Sequence, residues 1–227
     1  AVINHLIYKS GFIPRGNTQY GKHHTYTYEV GETTATESDG SGGTRTTRTA
    51  TGSGPATWFH DGTRNGIADY VGDVWKWMSG LRIYKGEIQI FVGNLAAKQV
   101  SHLAASTYWK AILPNGSLVE PGTPGTLKYT KDFKIATDTG AAGSTYTANF
   151  GNLVAGTGVT TIPEILKELF LAPVSGVTHT GAFWINNEDE RLPFVSGSSS
   201  SPSYAGPSAL SLYHPRSGVG TDLGFFS

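Results

Sequence analysis

The sequence predicts an α+β fold with few helices, short antiparallel strands and long loops. Three observations carry that reading. First, 30 glycines and 11 prolines are spread through 227 residues, with serine and threonine dense between them, which is a loop-rich composition. Second, apolar residues make up 38% of the chain and charged residues only 15%, so a sizeable core is available without the charge density of a helical bundle. Third, helical periodicity occurs in only two short stretches, and two-residue alternation comes in runs of a few residues. The length suits one domain over residues 1–227.

The first helical stretch is residues 2–12, VINHLIYKSGF, where Val2, Ile3, Leu6 and Ile7 recur at helical spacing and Gly11 offers a stop. Ala1 stands inside that periodic pattern, so the chain reads as the C-terminal part of a longer protein. Residues 14–56 are polar and irregular, with a candidate short strand at Thr25–Val30. Residues 57–92 gather Trp58, Tyr70, Trp75 and Trp77. There Leu81, Ile83, Ile88, Ile90 and Val92 alternate about Lys85-Gly86, which predicts two strands and a turn. Turn signals crowd residues 112–160, among them Pro114-Asn115-Gly116, Pro121-Gly122 and Pro124-Gly125. The stretch to about 180 therefore reads as an insertion with a few edge strands. The second helix opens at Thr161-Ile162-Pro163-Glu164, presents Ile165, Leu166, Leu169 and Phe170, and ends at Ala172-Pro173. Beyond Thr180 the chain is rich in Ser, Gly, Tyr and Asn, with short apolar pieces at Phe183–Ile185, Ala209–Leu212 and Leu223–Phe225.

Several function classes lose support at this level. Formal net charge is zero and no basic stripe appears, which speaks against nucleic acid. No apolar run approaches membrane-spanning length. With no cysteine, disulfides, thiol catalysis and Cys-ligated zinc are excluded. No nucleophile elbow, zincin helix or phosphate loop occurs, and His23-His24 are adjacent, a poor metal-ligand spacing. The acidic run Asn187-Glu188-Asp189-Glu190 carries oxygens suited to calcium, but such a run is more often a solvated turn, with Glu190-Arg191 forming structural ion pairs. The expectation is no catalysis, no metal and no cofactor.

Three pieces point to a family. They are Ile13-Pro14-Arg15-Gly16-Asn17; the run from Asp61-Gly62-Thr63-Arg64-Asn65-Gly66-Ile67 to Gly72-Asp73-Val74-Trp75-Lys76-Trp77; and Glu190-Arg191-Leu192-Pro193-Phe194 followed by Ala209–Leu212, Pro215-Arg216-Ser217 and Leu223-Gly224-Phe225. Together they resemble domains related to formylglycine-generating enzyme (sulfatase-modifying-factor domains) in their phage-borne form. That group includes the variable adhesins of diversity-generating retroelements. The resemblance implies a C-type-lectin-like fold, with Arg216 structural and the aromatics of residues 58–77 in the core. It covers nearly the whole chain except the insertion. Departures occur at Asp73 and Lys76, where the family usually has Asn and Glu. They occur also at Phe194–Ser198, where R-G-G-x-W is common, and at Gly224-Phe225-Phe226, where G-F-R is common. The enzyme of that family uses copper-dependent cysteine chemistry, for which this chain has no cysteine.

The resemblance implies a non-catalytic receptor-binding domain of a phage tail or fibre, on the virion and facing outward. Its implied partners are a host-surface protein or glycan and other virion proteins, in a homotrimer by family analogy. A structural or decoration role in the virion is the alternative. In the resembled adhesins the C-terminal stretch forms the ligand surface. Ser196–Ser203 and its neighbours have the Ser, Gly and Tyr content of built paratopes, where Tyr supplies rigid contact area. The expected contact residues are Trp184, Asn186, Val195, Ser198, Ser199, Ser201, Tyr204, Tyr213 and His214. Trp75 and Trp77 lie two apart and so share a face. Core packing is the favoured reading for them, with a stacking platform as the alternative.

Overall fold

A computed structural model of the chain describes residues 1–225; Phe226, the last residue of the end motif, lies outside them. Helix α1 spans Val2–Ser10 and closes on Gly11 at φ 73°, a left-handed cap that suits glycine. Its buried Ile7 packs beside Tyr70 and Val71. The candidate strand at Thr25–Val30 reduces to a single bridge between Lys22 and Val30.

Sixteen strands follow within the described residues. Strands β1 (Thr33–Ser38) and β2 (Thr44–Thr49) form a separate hairpin. Next come β3 (Trp75–Trp77), β4 (Leu81–Tyr84), β5 (Glu87–Phe91), β6 (Trp109–Ile112), β7 (Leu118–Val119) and β8 (Lys128–Tyr129). Then follow β9 (Lys134–Ala136), β10 (Ser144–Thr147), β11 (Val154–Ala155), β12 (Phe183–Asn186) and β13 (Glu190–Arg191). The last are β14 (Phe194–Val195), β15 (Leu210–Leu212) and β16 (Leu223–Gly224). A first sheet runs β10-β12-β15-β14-β3-β16, and a second runs β11-β9-β8-β5-β4-β13, with β6 paired to β5 and β7 paired to β6.

This corrects the α+β expectation. Strands hold 25% of the chain against 12% in helices, so the fold is mostly β. The second predicted helix shrinks to α2 (Glu164–Glu168). Phe170 takes φ 58° and the Leu171 and Ala172 amides turn back onto the Leu166 carbonyl at 2.7 and 3.2 Å, which ends the helix a turn early. That break drives Phe170 against Tyr8, whose rings stack at 5.6 Å. The turn signals of residues 112–160 mark strand ends rather than loops. Leu127, Tyr129, Ile135, Phe150 and Leu153 from this region all enter the core.

The core lies between the two sheets. Leu81, Ile83, Ile88 and Ile90 from the second sheet meet Phe183, Ile185, Leu210 and Leu212 from the first. The Tyr129 and Phe183 rings touch across the interface at 5.2 Å. The β4–β5 hairpin turns at Lys85 (φ 48°) and Gly86 (φ 80°), the positive pair that matches strand twist.

The Gly72–Trp77 motif is a buried staple. At Gly72 (φ 74°) a Cβ would stand 2.2 Å from the Asn17 carbonyl oxygen, so only glycine fits. Asp73 donates its amide to the Asn17 carbonyl at 2.7 Å, and its carboxylate accepts from Thr49 Oγ1 at 3.0 Å and Asn17 Nδ2 at 3.3 Å. Lys76 is buried beneath and donates Nζ to the Gly72 carbonyl. Burial pushes its ammonium down to about 8, against the pull of Asp73 and Asp69. Because Lys76 points inward, Trp75 and Trp77 point outward on the sheet's other face.

Candidate functional site

Alternation along the first sheet sorts its residues into two faces. Phe183, Ile185, Leu210, Leu212 and Val195 face the core. One cross-strand row of the opposite face is set by the register Tyr146–Trp184–Ser211–Phe194–Trp77. Trp75, one pleat further along β3, stands on the same face.

The rings on this face contact one another in series. Trp184 meets Trp75 edge-on at 5.2 Å, Tyr204 edge-on at 5.9 Å and Tyr146 nearly parallel at 6.0 Å. Tyr146 and Tyr204 meet at 5.7 Å, and the hydrogen bond between them raises the Tyr204 phenol above its ordinary range. At the other end Phe194 is covered by Trp77 at 4.0 Å and His214 at 5.0 Å, and Tyr213 abuts His214 at 5.3 Å. Burial lowers the His214 pKa, so the ring is neutral at pH 7.

A cleft of about 350 Å³ opens in this surface, walled by Trp75, Trp184, Tyr204, Tyr213 and His214, with Ser200, Ser201 and Ser211 completing it. Edge-to-face rings hold each other in place, so the walls are pre-ordered and little side-chain freedom remains to be lost on binding. The cleft offers apolar ring faces, phenol and indole donors and hydroxyls, and no carboxylate lines it. Such an arrangement suits stacking and hydrogen bonding.

The nine expected contact residues divide in two. Trp184, Ser201, Tyr204, Tyr213 and His214 come together at the cleft. Asn186 shares the face but lies outside the cleft, its Oδ1 accepting from the Glu188 amide at 3.1 Å. Val195 packs inward against the core. Ser198 and Ser199 are buried in a tight knot. There the Ser198 amide donates to Ser201 Oγ at 3.0 Å, and the Ser199 amide donates to the Asp73 carbonyl at 2.8 Å. The serine run is therefore a brace between the Gly72–Trp77 staple and the sheet rather than a flexible loop. Only Ser200 and Ser203 within it are exposed.

Sequence reasoning misses Tyr146, which lies in the expected insertion and is 52% exposed. It also assigns Trp75 to the core, where the structure makes it a cleft wall. The signal for Trp75 is the Trp-Lys-Trp alternation, since the buried Lys76 forces its neighbours out. No local signal marks Tyr146.

Other sequence candidates have structural partners. Trp58 is fully buried and its Nε1 donates to Glu29 at 3.2 Å. Asp61 caps its own turn by accepting from the Thr63 amide at 2.9 Å. Glu190 pairs with Arg82 and Arg216, each at 2.8 Å, rather than with Arg191. Asn187 is buried and ties Gly143, Thr139 and Ala141 to the sheet. Among the described residues no group of three metal-ligating side chains converges, and no helix is long and apolar enough to cross a membrane. No protein-family model matches the chain, and no curated protein matches it.

Proposed function

We propose that the chain is a non-catalytic receptor-binding domain, the adhesin of a phage tail or fibre, which recognises a host-surface ligand through the aromatic face of its first sheet. The single observation that carries this reading is the cleft among Trp75, Trp184, Tyr204 and Tyr213. Rigid aromatic and tyrosine surface with small hydroxyls beneath it is the chemistry of recognition surfaces. The resemblance of the Asp61–Trp77 and Glu190–Phe225 motifs to phage-borne adhesin domains supports the virion context. It supports also a homotrimer, in which repeated weak contacts become avidity. Trp75 and Trp184 stand on β3 and β12, which holds the base of the contact geometry still, while Tyr204 sits on the short helical turn Pro202–Tyr204 and Tyr213 and His214 follow β15.

The test is a location map of the chain in the particle, combined with adsorption of the labelled chain to host cells. A position at the distal end of the tail or fibre, with saturable adsorption, is expected. A position in the head shell or inside the baseplate, without adsorption, sinks the proposal in favour of a decoration role.

A further inference from the structure

We propose that the outer face of the second sheet holds a separate binding pocket for a carboxylate-bearing saccharide. The proposal does not depend on the aromatic cleft, with which the pocket shares no lining residue.

Alternation along β4 and β5 turns Leu81, Ile83, Ile88 and Ile90 into the core and leaves Arg82, Tyr84, Glu87 and Gln89 on the opposite face. These four line a cavity of about 580 Å³, closed at its rim by Ala104 and by Pro121-Gly122. That volume lies in the range of small-molecule sites.

The floor is a fixed polar ladder. Arg216 and Arg82 both bind Glu190 at 2.8 Å. Arg82 Nε donates to Gln89 Oε1 at 2.6 Å, and Gln89 Nε2 donates to Glu87 Oε2 at 2.5 Å. Glu87 also accepts from Thr126 Oγ1 at 2.6 Å and from the Gly122 amide at 3.1 Å. Arg82, Glu87 and Gln89 are all nine-tenths buried or more, so the ladder is rigid and its orientation is set before any ligand arrives.

Two donors remain open, Arg82 on the floor and Lys85 at the mouth. Arg82 engages Nε and Nη1, the latter also with the Ala104 carbonyl at 2.8 Å, while Nη2 makes no hydrogen bond within the described chain. Trp109 packs against the guanidinium at 4.5 Å, which holds its plane. Lys85 Nζ lies 5.7 Å from the Tyr84 ring and forms no ion pair among the described residues. Tyr84 itself is 47% exposed, an open ring face at the mouth.

These groups define the ligand by elimination. The open Arg82 and Lys85 donors call for an anionic oxygen group. The Glu87 and Glu190 carboxylates in the same pocket repel a dianion and accept from hydroxyl donors. The exposed Tyr84 face suits the C–H face of a sugar ring. Arg82, Lys85, Lys128 and the Glu190-bound Arg216 outnumber the two carboxylates, so the pocket is net positive and favours a negatively charged group. A polyhydroxylated ring bearing a single carboxylate meets all four conditions. Inorganic phosphate presents no ring face to Tyr84, and a neutral sugar meets Arg82 Nη2 only with an uncharged hydroxyl oxygen.

The experiment titrates the whole chain with methyl β-D-glucuronide, methyl β-D-glucoside and inorganic phosphate, read by calorimetry and by saturation transfer to the ligand. We expect the glucuronide to bind about tenfold more tightly than either control. We expect Lys85→Gln and Tyr84→Ser each to weaken it by about fivefold, with Lys85→Arg restoring most of the loss. Both altered side chains lie at the pocket mouth, so the melting temperature stays near that of the parent. Trp75→Ala at the aromatic cleft leaves glucuronide binding unchanged, so failure here and failure of the adhesin reading are distinguishable. The proposal is overturned by no glucuronide binding, by equal binding of either control, or by intact glucuronide binding in either the Lys85→Gln or the Tyr84→Ser variant.

Discussion

Truncating Trp58 and Trp75 separates a core tryptophan from a cleft-wall tryptophan within one sequence neighbourhood. Trp58 is 0% exposed, and its indole nitrogen donates to the buried Glu29. Trp58→Ala removes a full aromatic burial, about 3–5 kcal/mol, and a hydrogen bond to a charged group on top of it. Glu29 keeps its Arg15 partner at 2.5 Å, which limits the added cost to about 1 kcal/mol. Trp75 is only partly buried, and its ring contact on the face is the edge-on Trp184. Its truncation therefore costs roughly half as much, about 1.5–2.5 kcal/mol with the ring pair included. For a chain of this size 1 kcal/mol moves the melting temperature by about 2–4 °C, so the two variants separate clearly in a thermal melt. Urea unfolding at 25 °C gives the free energies, with Trp58→Phe as the milder companion should Trp58→Ala not fold. Equal losses, or a larger loss for Trp75→Ala, refute the two-faced description of β3.

Three other perturbations probe the same geometry. Asp73→Ala strips the acceptor from Thr49 and Asn17 and removes one of the two carboxylates that act on the buried Lys76. A loss of about 3 kcal/mol or more is expected in urea unfolding, with Asp73→Asn costing clearly less. Gly72→Ala drives a Cβ into the Asn17 carbonyl at a positive φ, and little soluble folded protein is expected on size-exclusion chromatography. His23 is held neutral, its pKa lowered to about 4 chiefly by burial, while Nδ1 accepts from the Thr25 and Tyr26 amides at 3.1 and 3.0 Å. The folded value lies below the unfolded value of about 6.5, so its stabilisation is present above pH 6.5 and is lost as pH falls towards 4. A His23→Gln variant is expected to show a shallower fall in urea midpoint across that window than the parent.

Local signals are legible in the sequence, and long-range pairings are not. The α1 helix with its Gly11 stop and the alternation about Lys85-Gly86 both appear, since helix and hairpin are set within a few residues, although Val2 and Leu6 of the α1 stripe stay exposed. The β10–β12 pairing joins Tyr146 to Trp184 across a wide sequence gap, and nothing local specifies it. The 112–160 region misleads for a related reason. Its strands are two to four residues long, so turn residues dominate its composition although Tyr129, Ile135 and Phe150 belong to the core. The α2 stripe continues in sequence through Phe170, but burial of Phe170 and Leu171 requires a left-handed break that periodicity does not record. At the site, the rings of Trp184, Tyr204 and Tyr213 are legible in the C-terminal stretch, and they come together at one cleft. The serine run reads as adaptable surface because composition does not show that its amides hold Asp73 and the sheet.

Receptor contact through the aromatic cleft of the first sheet is tested most directly by the affinity of the Tyr204→Ala/Tyr213→Ala double variant for immobilised host envelope. Interferometry gives the affinity, and a melting curve of the same sample reports its fold. A melting temperature close to that of the parent is expected, together with an affinity at least about tenfold weaker. Unchanged affinity in a folded double variant contradicts the assignment of the cleft as the receptor-contacting surface.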